Sequence, residues 1–149
     1  MTMSTIERVV ALQRVDLFAD VPGRTLAAVA RRAAEVEVPA GTLVIAEGAV
    51  EDHLFAVVAG RLRVHHDDVT VVDLGPGSTV GELAALVPEP RAASVTALEP
   101  TMLLRIDKPV LDELLADRPL LASRIIAALV AMVRERARPV TEPTDPTAT

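Results

Sequence analysis

A short run of small residues, one carboxylate and one arginine is the part of this sequence best suited to chemistry. The run 81–86, Gly-Glu-Leu-Ala-Ala-Leu, predicts a helical turn that begins at a glycine, where small side chains let a ligand approach the backbone. Arg91 follows Glu82 by nine residues and precedes the small-residue segment 92–94. A helix N-terminus beside an arginine favours an anion, and a nearby carboxylate suits a sugar hydroxyl. Phosphate and ribose together indicate a nucleotide.

The elements that must position this run follow from hydrophobic periodicity. Helical spacing predicts four segments: 6–19, 24–34, a helix from Pro109, and a last helix over about 119–138. Between the second and third, from Glu35 to Ile106, the period changes to two, and glycine turns separate about eight short strands. This order predicts a mainly β fold with flanking helices, an eight-stranded β-roll of the jelly-roll kind.

One stretch inside the strand region departs from this alternation. Residues 78–94 show no period of two, and they contain the glycine, the carboxylate and the arginine described above. A long insert of this kind in a barrel is a common place for a binding site.

Composition excludes several classes of function. The chain has 149 residues, enough for one domain, and a formal net charge of −6, which argues against nucleic-acid binding by this chain alone. With no Cys, Trp or Tyr, it has an aliphatic core and no thiol chemistry. Residues 1–14 lack an apolar run, so no signal peptide is expected, and no apolar run is long enough for a bilayer. We therefore expect a soluble, cytoplasmic protein with no membrane contact.

The run 80–95 resembles the phosphate-binding cassette of the cyclic-nucleotide-binding family, which includes bacterial catabolite activator proteins and the regulatory subunits of cAMP-dependent protein kinase. The family pattern is Phe-Gly-Glu-Leu-Ala, a variable stretch, then Pro-Arg-Ala-Ala-Ser/Thr-Val. Here it is Val-Gly-Glu-Leu-Ala at 80–84 and Pro-Arg-Ala-Ala-Ser-Val at 90–95. The segment 17–22 and the glycines at 41, 48, 60 and 77 also fit, so the resemblance covers roughly residues 17–136.

The resemblance implies a role for each cassette residue. Glu82 would accept a hydrogen bond from the ribose 2′-OH, Arg91 would pair with the cyclic phosphate, and Ser94 would contact the phosphate or the base edge. Backbone contacts would come from Gly81, Leu83, Ala84, Ala92 and Ala93. The Ser94 hydroxyl is compatible with cAMP or cGMP, and cAMP is favoured. The alternative for Arg91 is a surface arginine paired with Glu82 or Glu89.

The base-facing half of the expected site departs from the family pattern. Val80 replaces the usual aromatic residue, and no aromatic residue is available to stack on the purine as a lid. The last helix would then supply the lid, with these candidates: Leu129, Met132, Val133 and Arg134. Core packing is the alternative for the aliphatic ones.

A metal site is not expected, and neither is catalysis. A jelly roll can also be a metal-binding cupin, but His65 and His66 are adjacent on a strand and point to opposite faces. His53 adds no ligand spacing, and no nucleophile–base pair is present. We interpret 65–68 as a solvated hairpin and expect no metal and no enzyme activity.

Two functional hypotheses follow. The first is a non-enzymatic cyclic-nucleotide sensor that signals through its C-terminal helix, 119–138, as a homodimer or with a partner protein, and without direct DNA binding. The alternative is a degenerate domain that serves as a dimerisation or docking module without a ligand. The expected organisation is an N-terminal helix at 1–16, a cyclic-nucleotide-binding domain at 17–138 and a disordered tail at 139–149.

Overall fold

The computed structural model describes residues 2–87 and 89–137. Within these ranges the side chains of Leu83, Ala84, Leu121, Met132 and residues 135–137 are not described. The tail predicted at 139–149 lies outside the described residues, and the domain boundary predicted at residue 17 stays a prediction.

Helices lie at both ends of the described chain, and a short one interrupts the strands. They are α1 (Thr5–Gln13), a 3₁₀ helix (Asp16–Phe18), α2 (Gly23–Arg32), α3 (Glu82–Leu86), α4 (Lys108–Asp117) and α5 (Pro119–Ala137). The Ser4 hydroxyl and the Glu7 carboxylate form a capping box at the start of α1, which satisfies two of its free N–H groups.

The first helix is shorter than the periodicity predicted. The spacing predicted one helix over 6–19, whereas α1 ends at Gln13 and the chain is extended at Val15 before the 3₁₀ helix. This break lets Val15, Leu17 and Phe18 all enter the core, each 3% exposed or less. The burial of these three apolar side chains outweighs the continuation of one helix, since each buried side chain contributes about 1.5–3 kcal/mol to the free energy of folding.

Ten strands lie in the described part of the chain, and every pair of neighbours is antiparallel. They are β1 (Ala34–Val38), β2 (Leu43–Ile45), β3 (Val50–Glu51), β4 (His53–Ala59), β5 (Leu62–His66), β6 (Val69–Leu74), β7 (Thr79–Val80), β8 (Glu89–Pro90), β9 (Ser94–Ala97) and β10 (Thr101–Asp107). Two four-stranded sheets, β1-β10-β4-β7 and β2-β9-β5-β6, form the roll, and β3 pairs separately with β8.

The predicted fold class is confirmed, and the eight strands of the two sheets form the predicted roll. The additional pair, β3 with β8, and the short strand β7 were not predicted. Strands of two residues have no alternation to detect, so the run 78–94 showed none although it contains β7 and β8.

The core consists of two clusters on opposite faces of β4 and β10. Leu54 and Ala56 of β4 face the helical core, which α1, α2, α4 and α5 complete, while Phe55 and Val57 face the interior of the roll. Strand β10 divides in the same way, with Leu104 on the helical side and Leu103 in the roll. This two-sided burial explains the nearly continuous apolar sequence of both strands.

Among the helices of the described residues, none combines the length and hydropathy that a bilayer-spanning helix requires.

Candidate functional site

Gly81 lies at the junction of β7 and α3 with a backbone conformation that favours glycine. Its φ is +82°, in the left-handed region. A Cβ at this position would lie 2.4 Å from Nη1 of Arg91 and 3.0 Å from the His53 carbonyl oxygen. The predicted glycine opening of the helix is therefore needed both for the turn and for the close approach of the Arg91 guanidinium.

Glu82 is the first residue of α3, and its carboxylate is buried. The residue is only 5% exposed and its Oε1 accepts a hydrogen bond of 2.6 Å from the hydroxyl of Thr79, which is itself 1% exposed. The hydroxyl holds the carboxylate in one orientation inside the site. A carboxylate fixed in this way is suited to accept a further hydrogen bond from a ligand hydroxyl.

Arg91 follows β8, and its guanidinium lies against Gly81 rather than in solvent. Nη1 donates to the Gly81 carbonyl at 3.2 Å and Nη2 donates to the His53 carbonyl at 2.7 Å. Nε is buried and has no hydrogen-bond partner. Nε also forms an ion pair of 3.9 Å with Oε1 of Glu51. The Arg91 side chain is 3% exposed, so the structure does not support the alternative of a surface arginine.

The electrostatics around Arg91 follow from burial. Burial lowers the pKa of the Arg91 guanidinium, while the carboxylates of Glu51, Glu82 and Asp52 act in the opposite direction. The pKa of His53 is also lowered, mainly by burial and then by the positive charge of Arg91. A buried cation with one N–H donor that no hydrogen bond satisfies favours a nearby anion such as phosphate.

The small-residue segment after Arg91 is tied to the turn at 47–49. The Arg91 N–H donates to the Ala49 carbonyl at 2.8 Å, and the Gly48 N–H donates to the Arg91 carbonyl at 2.9 Å. The Ser94 hydroxyl accepts a hydrogen bond of 3.0 Å from the Glu47 N–H. Ala92 is exposed and Ala93 half-buried. The predicted cassette residues therefore lie in one place, next to the turn at 47–49, which was not among the predicted site residues.

The predicted lid residues of α5 differ in their exposure to solvent. Leu129 is 5% exposed and belongs to the helical core, whereas Val133 and Arg134 are exposed. The side chain of Met132 lies outside the described residues. A lid from α5 stays a prediction.

Three contributors to the site were missed from the sequence. Thr79 had only a partial signal: Thr-x-x-Glu is a capping-box sequence, but Thr79 lies in β7 and its hydroxyl donates to the Glu82 carboxylate instead of capping α3. The His53 carbonyl had none, since every residue carries one. Glu51 had none either, because its place beside Arg91 depends on the pairing of β3 with β8. Among the described residues no group of three or more potential metal ligands is gathered.

The fold and the site together define a class of protein: an antiparallel β-roll with a buried carboxylate and a buried arginine on a glycine-opened helical turn. Residues 35–118 match the family model described as the cyclic nucleotide-binding domain. This match covers more than half of the chain and includes the whole cassette. The chain belongs to the cyclic nucleotide-binding domain family, and the resemblance seen in the sequence is confirmed.

Known proteins of several kinds are similar to this chain. The Pycsar effector protein XpPycTIR of Xanthomonas perforans is 36% identical over 107 residues, which cover 71% of this chain and 35% of that protein. The CRP-like cAMP-activated global transcriptional regulator of Mycobacterium tuberculosis is 27% identical over 128 residues, covering 83% of this chain and 57% of that protein.

Solved structures show the same fold. The regulatory domain of Toxoplasma gondii PKA, solved with cAMP, is 27% identical and has a TM-score of 0.68, covering 74% of this chain and 44% of that one. This chain therefore spans between 35% and 57% of the length of the three relatives described here.

Proposed function

We propose that this chain binds a cyclic nucleotide, with cAMP favoured over cGMP, between Glu82 and Arg91. The observation that carries the proposal is the Arg91 guanidinium, which is buried, held by two carbonyls, and left with an Nε that has no hydrogen-bond partner. A cyclic phosphate has one negative charge and two exocyclic oxygens, which match the N–H groups of an arginine. The relatives named for cAMP support the choice of ligand.

Each cassette group then has a defined part in binding. Glu82 accepts a hydrogen bond from the ribose 2′-OH, and Arg91 pairs with the phosphate. Ser94 contacts the phosphate or the base edge, and the backbone contacts come from Gly81, Leu83, Ala84, Ala92 and Ala93. These are binding roles, so the proposed activity is non-enzymatic. The site as proposed requires no metal.

The proposed output is a shift of the C-terminal helices. Ala85 of α3 is fully buried in the same core cluster as Ile125 and Leu129 of α5. A change in the position of α3 on binding would therefore be felt by α5 through the shared core, since α3 packs against α4 and α4 packs against α5. Such a shift requires that the nucleotide bind one arrangement of the helices better than the other.

The partner of α5 is part of the same proposal. Ile126, Val130 and Val133 form an exposed apolar stripe on α5 at helical spacing, which favours contact with a second copy or a partner protein. A cytoplasmic location and the lack of direct DNA binding stay predictions. The relatives' names include an effector and a transcriptional regulator, so this module would control an activity located elsewhere.

The test is calorimetry with cAMP and cGMP on the wild-type chain and on Arg91→Ala. We expect one nucleotide bound per chain and a loss of about 3–5 kcal/mol of binding free energy in the variant, since a buried charge pair is removed. This loss would abolish binding at micromolar nucleotide. Arg31→Ala, which removes an exposed arginine of α2, is the matched control and should bind as wild type.

Two results would contradict the proposal. Unchanged affinity in Arg91→Ala would refute the assigned phosphate site. No binding of either nucleotide by the wild-type chain would favour the second candidate, a docking module without a ligand, for which the exposed stripe on α5 is the supporting observation.

A further inference from the structure

Glu51 lies close enough to the Arg91 guanidinium to influence every anion that binds there. Its Oε1 is 3.9 Å from Nε of Arg91, which is within ion-pair range but too long for a hydrogen bond. The Nε–H group therefore still lacks a hydrogen-bond acceptor, while Glu51 partly neutralises the charge of the guanidinium. The Glu51 side chain is 38% exposed, whereas the Arg91 side chain is 3% exposed and held by two carbonyls.

The short pair β3–β8 fixes this arrangement. Glu51 is directly opposite Glu89 in the register, and Val50 is opposite Pro90, which precedes Arg91. Two carboxylates therefore stand across from each other at the edge of the cassette, where like charges repel. The other carboxylate oxygen of Glu51, Oε2, lies 3.8 Å from Nε2 of His53. Glu51 is thus placed between two basic side chains, of which Arg91 is the one at the ligand site.

We propose that Glu51 is an affinity-setting residue that competes with the nucleotide phosphate for Arg91. The inference rests on the nucleotide binding proposed above and concerns the strength of that binding. In the empty site the Glu51 carboxylate offsets the charge of the buried guanidinium. In the occupied site the same carboxylate, with Glu89 across from it, repels the phosphate. Both effects lower the affinity for the nucleotide, because one stabilises the empty site and the other destabilises the occupied site.

The experiment is calorimetry with cAMP on the full chain as wild type, Glu51→Gln and Glu99→Gln. Glu51→Gln keeps the shape of the side chain and removes its charge. We expect cAMP to bind Glu51→Gln about five- to tenfold more tightly than wild type, which corresponds to about 1–1.4 kcal/mol. Glu99→Gln changes the net charge equally at an exposed turn and should bind as wild type.

Thermal stability and affinity, measured on the same variants, together separate competition from a structural role. Thermal unfolding of the nucleotide-free chain should show a lower midpoint for Glu51→Gln than for Glu99→Gln, because the buried Arg91 charge loses a carboxylate that pairs with it at 3.9 Å. A residue that only supported the fold would also lower the midpoint, but its loss would weaken binding instead of strengthening it.

The possible failures are distinguishable. Equal or weaker cAMP binding by Glu51→Gln, with a wild-type chain that binds, would overturn this inference and leave the proposed function standing. A wild-type chain that binds neither cAMP nor cGMP would overturn the proposed function and this inference with it.

Discussion

At the scale of single residues, the candidate site depends on close packing among Gly81, Glu82 and Arg91. The Gly81 backbone accepts a hydrogen bond from Arg91 and allows its guanidinium to approach, and Glu82 follows directly at the start of α3. The positions of the buried carboxylate and the buried guanidinium therefore both depend on the backbone at Gly81. A change at Gly81 should disturb both without altering a charge.

Gly81→Ala should reduce stability and nucleotide affinity together. The positive φ costs a β-carbon residue about 1–2 kcal/mol, and the new methyl group would also meet Nη1 of Arg91. Gly41→Ala is a matched control, because Gly41 has a φ of +87° and no atom within 4 Å of a built Cβ. Chemical denaturation and calorimetry should show a similar backbone cost in both variants and a loss of affinity only in Gly81→Ala. Equal affinities would contradict the crowding of Arg91.

At the scale of elements, α5 presents two different apolar faces. Ile125 and Leu129 are buried against the rest of the chain, whereas Ile126, Val130 and Val133 are between 40% and 52% exposed. A surface helix that packed only on the roll would have one apolar face. The second face is the reason to expect self-association or a partner.

Val130→Glu should disrupt self-association through this second face while nucleotide binding remains near that of wild type. A charge in the middle of an apolar interface is left desolvated and unpaired, and a loss of at least tenfold in dimer affinity is expected. Ala131→Glu is the control, since Ala131 is exposed and points about 100° away from Val130 around the helix axis. Sedimentation velocity with and without cAMP measures the outcome. A wild-type chain that is monomeric in both conditions would contradict the homodimer.

At the scale of the whole molecule, the helical core links the cassette to both ends of the described chain. The cluster that contains Ala85 of α3 also includes Leu12 of α1, Leu111 of α4 and Leu129 of α5. A ligand that fixes α3 should therefore stabilise the molecule as one unit rather than the cassette alone.

Saturating cAMP should raise the unfolding temperature of the chain. A ligand at 100 times its Kd adds about 2.7 kcal/mol to the free energy of unfolding, which for a chain of this size corresponds to about 5–10 °C. Differential scanning fluorimetry checks this result, with adenosine as the control because it lacks the phosphate. A shift of the same size with adenosine would argue against pairing of the phosphate with Arg91, and no shift with either would favour the docking module.

Much of this molecule could be predicted from local sequence, because the relevant signals lie within a few residues of each other. The change of period at Glu35 marks the start of the roll, and β1 begins at Ala34. The candidate residues from Gly81 to Ser94 lie in one short segment, so their types and spacing were sufficient to select them, while their roles toward phosphate and ribose stay predictions. The prediction of one helix over 6–19 was wrong, because the burial of Val15, Leu17 and Phe18 determines where the first helix ends.

The sequence by itself therefore determined the roll, the flanking helices and the choice of Glu82 and Arg91 as candidate binding residues. Only the tertiary structure decided how Arg91 is held and what opposes its charge. His53 lies 38 residues from Arg91 in the chain, and its contribution is a carbonyl that no residue type reveals. Glu51 reaches Arg91 because β3 pairs with β8, two strands of two residues each. Contacts between distant segments depend on packing and register, and a single sequence records neither directly.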